Sequence, residues 1–217
     1  MVNFVLRVLA RALAVAAISM PISLVGGIAG QNENGIATVV FIRHGEKPEG
    51  GFGQLNCQGL NRALTLAPFI AETFGKPNAI FAPNPSHPKA DGGNTYDYVR
   101  PLATIEPTAI WFGLPVDVTL DVYDRDGLQD AIEKHRASDH NVLILVAWEH
   151  KQIASIVRSL LDAHHADPAI VTDVKDWESK DFDSMYVVRI ERLGDSTKAT
   201  FEHKHEGLDG LPNTCPH

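Results

Sequence analysis

Residues Asn141 to Trp148 read NVLILVAW, eight positions with no polar alternation after the first. Such a run is a strand covered on both faces, because a strand with one wet face alternates apolar and polar residues. Its continuation, His150 to Ala163, changes period at once. Ile153, Ile156, Val157, Leu160 and Leu161 fall at the spacing of one helical face. The same pairing occurs earlier: Thr38 to Ile42 is a continuous β-branched and aromatic run. Gln58 to Phe74 then places Leu60, Ala63, Leu64, Ala67, Ile70 and Ala71 at helical spacing and stops at Gly75-Lys76-Pro77. Ala79 to Ala82 is a second short buried strand. Doubly covered strands alternating with helices predict an α/β protein, a three-layer α/β/α sandwich with a mostly parallel central sheet.

The remaining segments are consistent with one domain. Pro83 to Tyr98, rich in Pro, Gly, Asn and Asp, reads as a long surface loop, with Ser86, His87, Lys89, Tyr96 and Tyr98 available to a ligand if it forms a lid. Arg100 to Gly113 is a helix with Pro101 in its first turn and Pro107 expected to break or kink it. Val116 to Leu120 is a strand candidate and Gly127 to Arg136 a helix. Asp173 to Asp183 reads as a solvated acidic loop. Tyr186 to Ile190 and Ala199 to Glu202 pair as a hairpin around Gly194-Asp195. The 27 acidic residues outnumber the 19 basic ones, for a net charge of −8, which argues against nucleic acid as a partner.

Residues 1–30 differ in composition from the rest. They contain no acid, carry Arg7 and Arg11 ahead of an apolar run from Ala12 to Ile28, and end in small residues. This is the pattern of a secretory signal cut near Ala29 or Gly30, leaving residues 31–217 as the mature domain in the periplasm or outside the cell. The alternative is an uncleaved N-terminal membrane anchor, since the run lies at the lower edge of spanning length. Pro21 and the glycines near its end weigh against an unbroken helix. Without a cysteine in the segment, a lipidated amino terminus is excluded. Export would place Cys57 and Cys215 in an oxidising compartment, where the two can pair.

In a sheet of this kind ligands sit beyond the carboxyl ends of the strands. Directly after Ile42 comes Arg43-His44-Gly45-Glu46, and directly after the NVLILVAW strand come Glu149 and His150. Arg100 opens a helix between them, and Arg62 lies on the first helix. Gly45 lets the chain turn sharply and lets a ligand come close. Each residue has an ordinary reading when taken singly: a helix-start histidine, a solvated arginine, a salt-bridge partner. Together, two histidines and several arginines at strand ends suit phosphoryl chemistry. Guanidinium forks match phosphate oxygens at any physiological pH. An imidazole nitrogen can attack phosphorus, and a carboxylic acid would protonate the leaving oxygen. The histidine pairs His164-His165 and His203/His205 lack accompanying ligands at a metal-site spacing.

The order strand–RHG–helix, arginine, strand–His–helix resembles the histidine phosphatase superfamily, which includes the phosphoglycerate mutases, from about Val39 to Ile190. The resemblance implies His44 as the phosphorylated nucleophile, Arg43 and Arg100 as phosphoryl ligands, and His150 as a hydrogen-bond donor to the same oxygens. It needs neither metal nor cofactor. Leu55 to Ala63 (LNCQGLNRA) resembles a supporting segment of the family and brings in Arg62 as a further phosphate-binding candidate. The second histidine departs from the usual Ser-His-Gly or His-Gly context, standing here as Glu149-His150-Lys151. The family's general acid falls in the region of Asp121 to Gly127, with Asp124 the first choice and Asp126 the second. Glu149 and Glu46 are competitors. These residues predict a phosphomonoester hydrolase acting on a small molecule or a phosphoprotein, with no membrane partner once the signal is removed. The alternatives are a phosphomutase and a catalytically weak phosphate-binding or phosphoprotein-binding domain of the same fold.

Overall fold

The computed structural model describes residues 35–138 and 141–216. The expected signal segment, 1–30, lies outside the described residues. In chain order the elements are β1 (Ile36–Arg43), α1 (Cys57–Thr73), β2 (Ala79–Phe81), β3 (Pro88–Asp91), β4 (Asn94–Asp97), α2 (Arg100–Phe112), α3 (Arg125–Ser138), β5 (Asn141–Trp148), α4 (His150–Ala163), α5 (Pro168–Asp173), β6 (Ser184–Leu193) and β7 (Ser196–His205). Five strands form one sheet in the order β2-β5-β1-β6-β7, and β3 and β4 form a separate hairpin. The β2–β5 and β5–β1 pairs are parallel, while β6 runs antiparallel to β1 and closes with β7 as the predicted hairpin. The sandwich thus has a parallel core of three strands and an antiparallel edge.

The apolar runs are buried on both faces, as expected. Val39, Phe41, Ile144 and Val146 pack in a core completed by Leu128 and Ile132 of α3 and by Ile153, Val157 and Leu160 of α4. Val40, Ile42, Leu143 and Leu145 pack on the opposite face against Leu66 and Ile70 of α1 and Ile105 and Ala109 of α2. The period of two in β1 and β5 therefore feeds two separate cores, giving three layers.

Some expectations are corrected. Pro107 does not end α2, which runs on to Phe112. Burial of Ile105, Thr108 and Ala109 on the α1 side outweighs the lost ladder bond. Val116 to Leu120 is not a strand. It lies along β2 through one bridge at Asp117, whose amide donates to Ile80 and whose carbonyl accepts from Ala82. The 83–98 stretch contains the β3–β4 hairpin, and α5 was not expected.

Candidate active site

Parallel register puts the two histidines side by side. Arg43, the last residue of β1, pairs with Trp148, the last of β5. His44 and the Glu149-His150 pair therefore leave the sheet on neighbouring strands at the same edge. Antiparallel β6 starts there too, with Met185 opposite Ile42, so the chain leading into β6 also reaches this edge. A hydrogen bond brings in the third element: Gly45 N–H donates to Thr104 Oγ1 (2.9 Å), whose hydroxyl donates to the Arg100 carbonyl one turn back in α2 (2.8 Å). Gly45 also permits a close approach within the protein. A Cβ there would sit 3.0 Å from Gly59 Cα, so the close approach is to α1.

His44 is buried, and its Nδ1 lies 2.8 Å from the Gly45 carbonyl. A carbonyl only accepts, so Nδ1 carries the proton and Nε2 keeps its lone pair. Burial holds the imidazole well below the ordinary histidine range, and the charges of Arg100 and Arg43 push it lower still. The ring packs edge-on against Tyr98 at 5.9 Å and near Phe182 at 6.0 Å. These features leave a neutral imidazole nitrogen among cations.

Arg43 is clamped by the chain entering β6. One terminal nitrogen donates to the carbonyls of Ser179 (2.9 Å) and Asp181 (2.7 Å), and the guanidinium lies 3.9 Å over the Phe182 ring. Burial lowers its pKa to about 10, leaving it cationic at neutral pH. The 173–183 stretch is solvated as expected at Asp173, Lys175, Asp176, Glu178 and Lys180, but Phe182 and the Ser179 and Asp181 carbonyls also make it a wall of the site. Arg100 is held by Asp91 of β3 and lies over Tyr98 at 5.0 Å. His150 is buried at the start of α4, with Nε2 3.3 Å from Ser179 Oγ and Nδ1 3.2 Å from Glu149. Three buried atoms here have no hydrogen-bond partner among the described residues: Arg43 Nε, Arg100 Nε and Tyr98 Oη. Unsatisfied buried polar groups are costly and uncommon, and a cluster of them around one histidine suits a polar ligand.

Arg62 is not part of this cluster, which corrects its assignment as a phosphate ligand. It is fully buried, with Nε and one terminal nitrogen on Glu46 (2.7 Å for the shortest), and with Glu206 (2.6 Å), Asp183 (3.4 Å) and Asp209 (3.1 Å) around the rest of the fork. Burial alone would lower its pKa, but the bonds and charges of Glu46 and Glu206 raise it instead. No donor remains for a substrate. The same clamp commits both oxygens of Glu46. Asp124 is an exposed residue whose Oδ1 accepts from Gly127 N–H at the start of α3 (2.9 Å), the position of a helix cap. Asp126 is exposed in the first turn of the same helix. Glu149 caps α4 by accepting from the Lys151 and Gln152 amides, 2.9 and 3.2 Å away. Burial would raise its pKa, yet His150 and Lys89 beside it hold it down to about 2.

Of the 83–98 residues proposed to reach a ligand, Tyr98 lies against His44, and Lys89 sits 4.7 Å over the Tyr98 ring. Tyr96 packs on Phe52, while His87 pairs with Asp121 and Ser86 with Asn84. Sequence reasoning missed Phe182, Thr104 and Asp91. Two aromatic residues, Trp177 and Phe182, within an otherwise acidic stretch were the available signal for the first. Of the other histidines, His164 pairs with Glu133 and Thr197, and His203 with Ser184.

The fold, a mixed α/β sandwich whose central sheet is flanked by helices, is similar to that of several solved structures. Similar solved structures include a Nakamurella multipartitia protein assigned as the phosphohistidine phosphatase SixA, with a TM-score of 0.54 and 14% identity over 79% of this chain and 96% of that one. Phosphoglycerate mutase from Plasmodium falciparum gives 0.50 and 13% over 82% and 96%. The protein histidine phosphatase SixA in complex with tungstate gives 0.51 and 13% over 78% and 97%. No family model and no curated relative matches the sequence.

Proposed function

We propose that the protein is a phosphomonoester hydrolase that works through a phosphohistidine on His44, in an exported domain. The observation that carries this reading is a buried neutral His44, with Nδ1–H tied to a carbonyl, beside two guanidinium Nε–H groups and a tyrosine hydroxyl that lack partners among the described residues. In the first step Nε2 attacks phosphorus and the ester oxygen departs. The Arg43 and Arg100 guanidiniums and His150 stabilise charge on the equatorial oxygens. Water then attacks the phosphohistidine and releases inorganic phosphate, regenerating the imidazole. The Gly45 carbonyl keeps the proton on Nδ1 throughout, so the same nitrogen is presented at each turnover.

Phosphatases and a mutase among the similar solved structures support a phosphoryl-transfer reading, and a tungstate complex of one of them supports oxyanion binding by this fold. The Cys57–Cys215 disulfide supports export, because such bridges persist in oxidising compartments. The test is hydrolysis of p-nitrophenyl phosphate in the presence of chelator, alongside acid-quenched labelling with ³²P substrate. Wild type should turn over and trap an acid-labile phosphoenzyme. His44→Ala should lose the label and on the order of 10⁴-fold in kcat/KM. A folded wild-type protein that binds phosphate analogues but never labels would make this a binding domain instead.

A further inference from the structure

Among the described residues, four carboxyl groups at this end of the sheet are engaged by other side chains or amides. Glu149 accepts two amides of α4 and is kept ionised, while Asp91 is paired with Arg100 and Lys47. Asp181 accepts from the Asp183 and Ser184 amides and the Ser184 hydroxyl, and Glu46 is clamped by Arg62. Hydrogen bonds and charge hold Asp91 and Asp181 below their ordinary range despite burial, so neither is a proton source near neutrality. Yet expelling an alkoxide requires a proton donor at the leaving oxygen.

The β3–β4 hairpin brings one titratable donor to this place. Lys89 has a side chain only 19% exposed, with Nζ 3.4 Å from Glu149 Oε1, beside the second histidine. Nζ also lies 4.7 Å over the ring of Tyr98, which packs against His44, and 5.7 Å from the ring of Tyr123. We propose that Lys89 is the general acid for the leaving group and then the base for water, a function of the hairpin that rests on the phosphohistidine reading above. In the first step the His44 Nε2–P bond forms and the P–O ester bond breaks. The Lys89 ammonium gives its proton to the departing oxygen, yielding the alcohol and a neutral amine. In the second step a water oxygen bonds to phosphorus, the P–N bond breaks, and the amine takes the water proton. The facing groups favour this cycle. Burial lowers the Lys89 pKa, Glu149 opposes that shift, and Arg100 and Lys151 add to it. The donor is thereby brought nearer to neutrality than an exposed lysine. Glu149 then acts as a positioning residue, holding the ammonium without competing for its proton.

The experiment compares kcat/KM for p-nitrophenyl phosphate, whose phenol leaves unaided, with that for an alkyl phosphate, whose alcohol does not. Lys89→Met and Lys89→Arg are the variants, with Asp124→Asn as comparator. Both Lys89 variants should lose roughly 10²- to 10⁴-fold on the alkyl ester and less than about tenfold on the aryl ester. With the aryl ester, kcat should fall while ³²P-phosphohistidine accumulates, because the second step has lost its base. Lys89→Arg keeps the charge but cannot give up its proton at these pH values, so it separates proton transfer from attraction. Full alkyl activity in Lys89→Arg, equal losses on both esters, or a leaving-group-dependent loss confined to Asp124→Asn would overturn the assignment. Absence of any phosphohistidine in wild type would instead overturn the underlying mechanism.

Discussion

Arg62 and His44 show how differently two residues of one sequence reveal their roles. His44 follows a buried strand by one residue, so its place at the sheet edge comes from local pattern. Arg62 is defined by partners 16, 121, 144 and 147 residues away, and nothing adjacent to it announces them. Removing the cation, as in Arg62→Met, leaves buried carboxylates facing one another. Denaturant titration should show a loss of about 3–5 kcal/mol. Glu206 has a further consequence for pH. Its burial, with Asp183 and Glu46 nearby, pushes it up to about 8 despite Arg62. The folded state therefore keeps a proton that the unfolded chain releases above its ordinary value of 4.5. Stability contributed by this group is fully present below that value and is lost as pH rises through about 8. Melting curves should show this decline in wild type and a flatter profile in Glu206→Gln.

The strands and helices that surround the site were legible because each has a strong period. β5, α4, α1 and the β6–β7 hairpin all lie where the apolar spacing puts them. The β3–β4 hairpin was not legible: PKAD and NTYD carry no apolar alternation, and its order comes from Asp91 held by Lys47 and Arg100. α2 survives Pro107 because packing overrides local propensity. The contact of α1 with the turn after β1 makes a prediction at this scale. A Cβ on Gly59 would lie 2.4 Å from the Glu46 carbonyl oxygen and 2.8 Å from its amide nitrogen, both backbone atoms that cannot step aside cheaply. Gly59→Ala should therefore move α1 or the RHGE turn, lowering both melting temperature and kcat/KM, whereas Gly75→Ala, strained at φ 91° but with nothing near its Cβ, should lower melting temperature and leave kcat/KM unchanged.

Across the whole molecule, the C-terminal segment is fastened to the first helix. Cys215 is bonded to Cys57 with Cα atoms 4.5 Å apart, and Asn61 donates to the carbonyls of Pro212 and Thr214 (2.8 and 2.9 Å). The bridge spans a sequence separation of 158 residues. Cys215→Ser, or reduction of wild type, should lower unfolding free energy by about 2–5 kcal/mol, with added reductant having no effect on the variant. The sequence by itself determined the layered α/β class, the strand ends that carry His44 and His150, and the identity of the arginine that opens α2. These follow from local periods and from residues adjoining them, where chain connectivity leaves little choice. Tertiary structure alone decided that Arg62 is an internal clamp, that Phe182 and the carbonyls before β6 wall in Arg43, and that Lys89 comes to rest beside Glu149. Those placements depend on charge pairing and backbone approach between distant segments, which become defined only when the sheet register brings the segments together.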